Sequence, residues 1–301
     1  MNSAQPSSSA KGVPLIGKLA VYGVGLIGGS FALALKAAGA VSQVVGVGRS
    51  RANLDAAIAG GVIDAVAVDD EHAVADADMV LLAMPVGQMG EVMARIAPHL
   101  GKTTVVSDAG STKRDVVELA RRHLTDSLAR FVPAHPIAGA ERSGALAARA
   151  DLFRGRHLLI TPQVETEPRA LSLVHGAWEI CGMRVSTMDA QTHDRVLASV
   201  SHLPHMLSFA LVHELAGRAN GEQLFSLAAG GFRDFTRIAG SSPEMWRDIC
   251  LSNRDVIVDE LNRYRAELAR IEALLNAGDG EGLERVFAQA RDARNRWLSI
   301  R

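Results

Sequence analysis

Residues 19–37, LAVYGVGLIGGSFALALKA, begin as a short apolar run, pass through Gly23-Val24-Gly25-Leu26-Ile27-Gly28 and continue as an Ala- and Leu-rich helical stretch. A G-x-G-x-x-G that follows a strand and opens a helix is the context in which this motif binds a dinucleotide. Each glycine meets a separate demand: Gly23 the tight turn, Gly25 the approach of a pyrophosphate to bare backbone, Gly28 the close packing of helix on strand. The helix N-terminus, with Leu26 and Ile27 in its first turn, then faces the phosphates.

Outward from this stretch, short aliphatic runs alternate with helix-prone segments, the pattern of βαβ units and a parallel sheet. The runs are LAVYG (19–23), QVVGVG (43–48), MVLLAM (79–84), TTVVSD (103–108), RFVPA (130–134) and HLLIT (157–161), all predicted to lie in one doubly wound sheet. Helices are predicted over 29–38, 51–59, 87–96 and 113–123, and a last αβ unit over about 168–188. After Asp189 the β-branched runs stop and the sequence turns helix-rich, interrupted mainly by a Gly-rich stretch at 228–232. The fold class is therefore α/β, a Rossmann-like doubly wound sheet followed by an all-helical C-terminal domain. The expected organisation is a flexible tail over 1–16, a dinucleotide-binding domain over 17–188 and a helical substrate and dimerisation domain over 189–301. In that second domain Ile257, Leu261, Tyr264, Leu268, Ile271 and Leu275 recur at steps of four and three, a seam that needs a partner either within the subunit or in a homodimer.

Composition narrows the function. With 32 Lys+Arg against 33 Asp+Glu in 301 residues, no global field favours a nucleic acid or an anionic membrane. Aromatic residues at 4% leave no stacking platform for single strands. Cys181 and Cys250, the only cysteines, give neither a disulfide framework nor a metal-ligand spacing, which fits the cytoplasm. The first dozen residues lack the pattern of a targeting peptide, and no run of about 18 apolar residues predicts a membrane span.

In NAD enzymes an acidic residue at the end of the second strand bonds the ribose 2′-hydroxyl. Gly48 holds that place here, followed by Arg49-Ser50-Arg51, two guanidiniums and a hydroxyl suited to a 2′-phosphate. NADP is the expected preference, with NAD possible if the arginines are a solvated loop face and a helix start. Pro85 and Val86, after the third run, are assigned to the same cofactor site.

At the carboxyl edge of the sheet, where open α/β folds bind ligands, Asp108-Ala109-Gly110-Ser111-Thr112-Lys113 follows the fourth run and His135-Pro136-Ile137-Ala138-Gly139-Ala140-Glu141 the fifth. A histidine beside a hydroxyl there suits a general base for an alcohol losing hydride. His202 and His205, in SHLPH, are three apart on one helical face, with Pro204 bending the helix; no Cys or placed carboxylate completes a metal set, so no metal is expected.

Taken together, GVGLIGGS, DAGSTK, HPIAGAERSG, SHLPH and FRDFTRIAGSSPEMWRDI resemble, in order and over about residues 18–301, the prephenate/arogenate dehydrogenases of tyrosine biosynthesis. The resemblance implies a 6-phosphogluconate-dehydrogenase-like architecture and a metal-free oxidative decarboxylation with NAD(P). It implies His135 as proton acceptor for the ring hydroxyl, Ser111 as the group orienting it, and Arg237 as the anchor of a substrate carboxylate. His205, His202, Gly230, Arg233 and Trp246 are implied to line the substrate pocket. Many bacterial relatives carry Thr where this chain has Ala140, and Glu141 could repel a prephenate carboxylate or pair with an arogenate ammonium, so either substrate fits. The chain's end at Arg301 is expected to leave no appended regulatory module, so feedback by tyrosine would act at the active site. Rossmann-plus-helical folds also serve 3-hydroxyacid dehydrogenases and imine or pyrroline-carboxylate reductases. The former typically use a Lys in the helical domain, and residues 189–301 contain none. A non-catalytic NADP-binding sensor would not need Ser111, His135 and Arg237 together.

Overall fold

The structure, a computed structural model, describes residues 14–139 and 142–299. Its first part alternates β1 (Ile16–Tyr22), α1 (Leu26–Ala37), β2 (Val41–Val47), α2 (Arg51–Ala59), β3 (Ala65–Val66), α3 (Asp70–Val74), β4 (Met79–Leu82), α4 (Met89–Ile96), β5 (Val105–Asp108), α5 (Arg114–His123) and β6 (Phe131–Val132). The six strands form one parallel sheet in the order β3-β2-β1-β4-β5-β6. The order reverses between β1 and β4, and a crevice opens at the carboxyl ends of strands at such a switch point.

Helices cover both faces, so the strands read as apolar throughout rather than alternating. Leu19 and Val21 of β1 pack with Phe31, Leu35 and Trp178 on one face; Ala20 and Tyr22 pack with Val80, Met93 and Phe131 on the other. Each such large side chain contributes about 1.5–3 kcal/mol on burial.

The fifth and sixth predicted runs are corrected by the structure. RFVPA is two strands, because Pro133 has no N–H to continue the ladder. Phe131 and Val132 pair with β5, whereas the chain beyond the proline, β7 (Ala134–Pro136), pairs antiparallel with β8 (His157–Ile160). HLLIT therefore lies outside the main sheet. It forms the centre of a second sheet, β7-β8-β9, whose parallel edge β9 (Arg184–Thr187) follows α6 (Pro168–Ile180). Trp178 of α6 meets Phe31 of α1 at a centroid distance of 4.4 Å, joining this sheet to the first. Strand β3, two residues long, carries too little pattern to be read beforehand.

Helices follow to the end: α7 (Ala190–Leu197), a π turn at Ala198–His202, α8 (Leu203–Ala216), α9 (Gly221–Ser226), α10 (Gly230–Thr236) and α11 (Pro243–Ser252). The run Ala190–Ala216 is the one helix among the described residues long and apolar enough to cross a membrane by length and composition. It carries fully buried His193 and Asp194. Compactness divides the chain between Asn253 and Arg254. The second unit is a helical hairpin of α12 (Arg254–Asn276) and α13 (Gly280–Ser299), turned at Gly278 with φ of 64°. Along the predicted seam Ile257 is buried, while Tyr264, Leu268 and Leu275 are exposed.

Candidate active site

The glycine turn after β1 is held by three constraints. Gly23 has φ of 94°, and a Cβ there would lie 2.7 Å from the Ala83 carbonyl. A Cβ on Gly28 would lie 2.4 Å from the Gly23 oxygen, whereas one on Gly25 meets nothing within 4 Å. Gly25 caps α1 with no side-chain hydrogen bond, so the first-turn amides around Leu26 and Ile27 are left for an acceptor outside the helix. Bare backbone facing a helix N-terminus fits a pyrophosphate. Beside it a cleft of about 280 Å³ is lined by Val47, Gly48, Leu54, Val66, Ala67 and Val68, together with the acidic Asp69 and Asp70. Arg49 forms a two-bond ion pair with Glu244 of α11. Ser50 caps α2 by accepting from the Asn53 amide at 3.2 Å, and Arg51 pairs with Asp55 on the same helix. Pro85 leads into a 3-10 turn whose Val86 is buried and would be 2.8 Å from a Cβ on Gly110.

At the end of β5, Asp108 and Lys113 form a fully buried ion pair. Asp108 also accepts from the amides of Gly110 at 2.8 Å and Ala134 at 3.1 Å, tying the DAGSTK loop to the residue before His135. Burial pushes the carboxyl up and the ammonium down, each opposed by the other's charge.

His135, on β7, is buried, and its Nδ1 lies 2.9 Å from Nε2 of His193 on α7. His193 Nδ1 lies 2.8 Å from Oδ1 of Asp194. Asp194 accepts from the backbone amides of Lys113 at 2.8 Å and Arg114 at 3.0 Å, at the start of α5, and from the Arg114 guanidinium. Burial pushes Asp194 up, but the bonds from His193 and these amides bring it below the ordinary carboxylate range. Being ionised, Asp194 accepts; His193 therefore donates through Nδ1 and accepts through Nε2, and His135 donates through Nδ1. The network thus assigns the lone pair to His135 Nε2. Burial, with His193 and the Lys113 ammonium nearby, holds His135 well below its ordinary value and keeps it neutral.

A second histidine has the opposite polarity. Arg114 donates to Asn253 Oδ1 at 3.0 Å, which turns the Asn253 amino group toward the Asp194 carbonyl and toward His202 Nδ1 at 3.2 Å. His202 must accept there, so its Nε2 carries the proton. Among the described residues this buried N–H makes no hydrogen bond of good geometry, and the Ser111 backbone, the group nearest to pairing with it, pulls the ring's pKa slightly up against burial. Burial brings His202 down to about 4. The π turn ending at His202 precedes Pro204, whose ring would clash with an α-helical carbonyl four residues back; the wider turn relieves this. His205 stacks on Trp246 of α11 at 3.8 Å, and burial, with a smaller contribution from the Arg237 charge, lowers it. Trp246 also meets His202 edge-on at 6.1 Å. Gly230 starts α10 and Arg233 lies on it, both exposed; the Ser208 hydroxyl of α8, the helix that carries His205, donates to the Phe235 carbonyl of α10 at 3.2 Å. Glu141, with Ala140, lies outside the described residues.

Residues 31–187 match the prephenate dehydrogenase nucleotide-binding domain family, and 189–289 the prephenate dehydrogenase dimerization domain family. The chain belongs to the prephenate dehydrogenase family. It is an NAD(P)-dependent oxidoreductase of that family. Cyclohexadienyl dehydrogenase of Zymomonas mobilis is 36% identical over 92% of this chain and 94% of its own length. Prephenate dehydrogenase of Bacillus subtilis is 37% identical over 91% of this chain and 74% of its own. The crystal structure of Aquifex aeolicus prephenate dehydrogenase with hydroxyphenyl propionate and NAD+ superposes with a TM-score of 0.85 at 32% identity, covering 95% of this chain and 98% of that one.

Sequence reasoning missed His193, Asp194 and Asn253. The signal was faint: an adjacent His-Asp four residues into a helix capped by Asp189. Three neutral buried histidines have a consequence for stability. His135, His193 and His202 are all lowered, chiefly by burial, so the unfolded chain binds more protons below an ordinary histidine value of about 6.5. Their contribution is fully present above that value and is lost as pH falls from it toward about 4, where His202 protonates. Urea midpoints measured from pH 8 to 5 are expected to stay level to about 7 and then fall; a midpoint that rises on acidification contradicts this.

Proposed function

We propose that this enzyme oxidises and decarboxylates prephenate to 4-hydroxyphenylpyruvate, arogenate to tyrosine, or both, within L-tyrosine biosynthesis. The observation that carries the reading is the polarity of the His135–His193–Asp194 chain, which leaves His135 Nε2 an acceptor at the carboxyl edge of the sheet. As the ring hydroxyl becomes a carbonyl, its proton passes to Nε2 and hydride leaves the same carbon; the ring carboxylate then departs as CO2, its bonding pair aromatises the ring, and the phenolate oxygen so formed takes the proton back from Nε2. A nicotinamide dinucleotide, its pyrophosphate held at the glycine turn, would supply the hydride acceptor. As His135 gains charge, His193 and the Asp194 carboxylate stabilise it through Nδ1 without moving. Ser111 orients the hydroxyl, and the His202 N–H offers a donor to a substrate oxygen. Arg237, whose charge reaches His205, anchors a carboxylate, with His205 and Trp246 as pocket wall. Glu141, Gly230 and Arg233 complete our assignment of the substrate pocket.

For the cofactor we propose NADP in preference to NAD, with Arg49, Ser50 and Arg51 facing the 2′-phosphate. Gly23, Gly25, Leu26, Ile27, Gly28, Pro85 and Val86 hold the remainder, and the cleft at Gly48 receives the adenine. The domain boundary falls at 188/189, a reading supported by the family matches ending at 187 and resuming at 189. We infer a homodimer through the helical region, supported by the dimerization-domain match and by the exposed Tyr264, Leu268 and Leu275 of α12. Two thiols without a disulfide fit the cytoplasm.

Prephenate and arogenate, each offered with NADP+ or NAD+, test the activity by reduced-cofactor absorbance; silence in all four mixtures overturns it. His135→Asn is expected to cut kcat by about 10²-fold or more, while Arg237→Gln mainly raises KM. An unchanged kcat in the first, or KM in the second, removes that role. Sedimentation of the purified chain is expected to give a dimer, and Leu268→Glu a weaker one; a monomer at all concentrations contradicts the shared seam.

A further inference from the structure

The strand order places β1 between β2 and β4, so the glycine turn Gly23–Gly28 lies between the loop carrying Arg49 and the loop carrying Gln88. One carboxylate spans both flanks. Glu244, in the first turn of α11, accepts from Arg49 Nη1 and Nη2 at 3.0 Å each and from Gln88 Nε2 at 3.1 Å. Its helix sits tightly on the second loop: a Cβ on Gly87 would lie 2.6 Å from the Asp248 carboxylate.

This placement bears on selectivity. The end of β2 carries Gly48 where an acidic side chain would read the ribose, yet an acid reaches the same loop from 195 positions further along the chain. Arg49, the side chain best placed for a 2′-phosphate, has both terminal nitrogens engaged by Glu244. A phosphate monoester can take that fork only by displacing the carboxylate or by sharing the guanidinium with a like charge. A ribose bearing a hydroxyl imposes neither cost.

We propose that Glu244 is a selectivity-determining residue for the cofactor: it competes with the 2′-phosphate for Arg49 and thereby narrows the preference for NADP over NAD. This rests on the assignment of Arg49 to the 2′-phosphate above. Because Arg49 and Glu244 are 71% and 38% exposed, the pair is screened and its displacement costs little, so the expected effect is about two- to five-fold in affinity.

Calorimetric titration of the intact protein with NADP+ and with NAD+, without substrate, tests the proposal. Glu244→Gln and Glu244→Ala are expected to tighten NADP+ by about two- to five-fold and to leave NAD+ unchanged. In an Arg49→Ala background the gain should vanish, because Glu244 acts through that guanidinium. If Arg49→Ala weakens NADP+ but neither Glu244 variant shifts the NADP+/NAD+ ratio, the competition is wrong and the Arg49 assignment stands. If both cofactors shift together in the Glu244 variants, the residue only braces α11 and the proposal fails. If Arg49→Ala leaves NADP+ unchanged, the 2′-phosphate assignment falls and the competition with it.

Discussion

The site depends on one carboxylate held ionised where burial alone would neutralise it. Asp194 is fully buried, and a buried carboxyl ordinarily rises in pKa. It stays charged because α7 sets it against the first amides of α5, where unsatisfied N–H groups and the helix dipole favour an anion, and because Arg114 and His193 add bonds. The carboxylate in turn caps α5, which has no cap of its own in sequence. One contact thus fastens the helical region to the α/β region and fixes which way the protons of His193 and His135 point.

From that anchor two histidines acquire opposite roles without any difference in residue type. His135, read through His193, presents a lone pair; His202, read through Asn253, presents an N–H. A lone pair can take a proton from a hydroxyl, and an N–H can bond an oxygen. Burial keeps both neutral. Position matters as much as polarity. Pro133 ends pairing with β5, the chain crosses to the second sheet, and Asp108 accepts from the Ala134 amide, which sets His135 beside the DAGSTK loop.

The sequence made the frame legible because the frame rests on local rules. The glycine turn, the aliphatic runs flanked by helices and the Arg51–Ala59 helix start all follow from adjacent residues. His135 and Ser111 read as candidates because each follows an aliphatic run toward the carboxyl edge of the sheet. What stayed hidden depends on pairing across long separations. The second sheet needed knowledge of what HLLIT pairs with, and β3 is too short to carry a period. Asn253 lies 51 positions from His202 and Glu244 lies 195 from Arg49, so nothing local marks either as part of a site. The DAGSTK lysine reads in sequence only as part of a motif, although its full burial against Asp108 makes it a determinant of the charge around His135.

The central claim is that ionised Asp194 sets the tautomers of this network, and 15N-detected NMR of the imidazole nitrogens at neutral pH reads them directly. The account requires His135 protonated at Nδ1 and bare at Nε2, with His202 protonated at Nε2. A proton on His135 Nε2, or an imidazolium at either position, would contradict it.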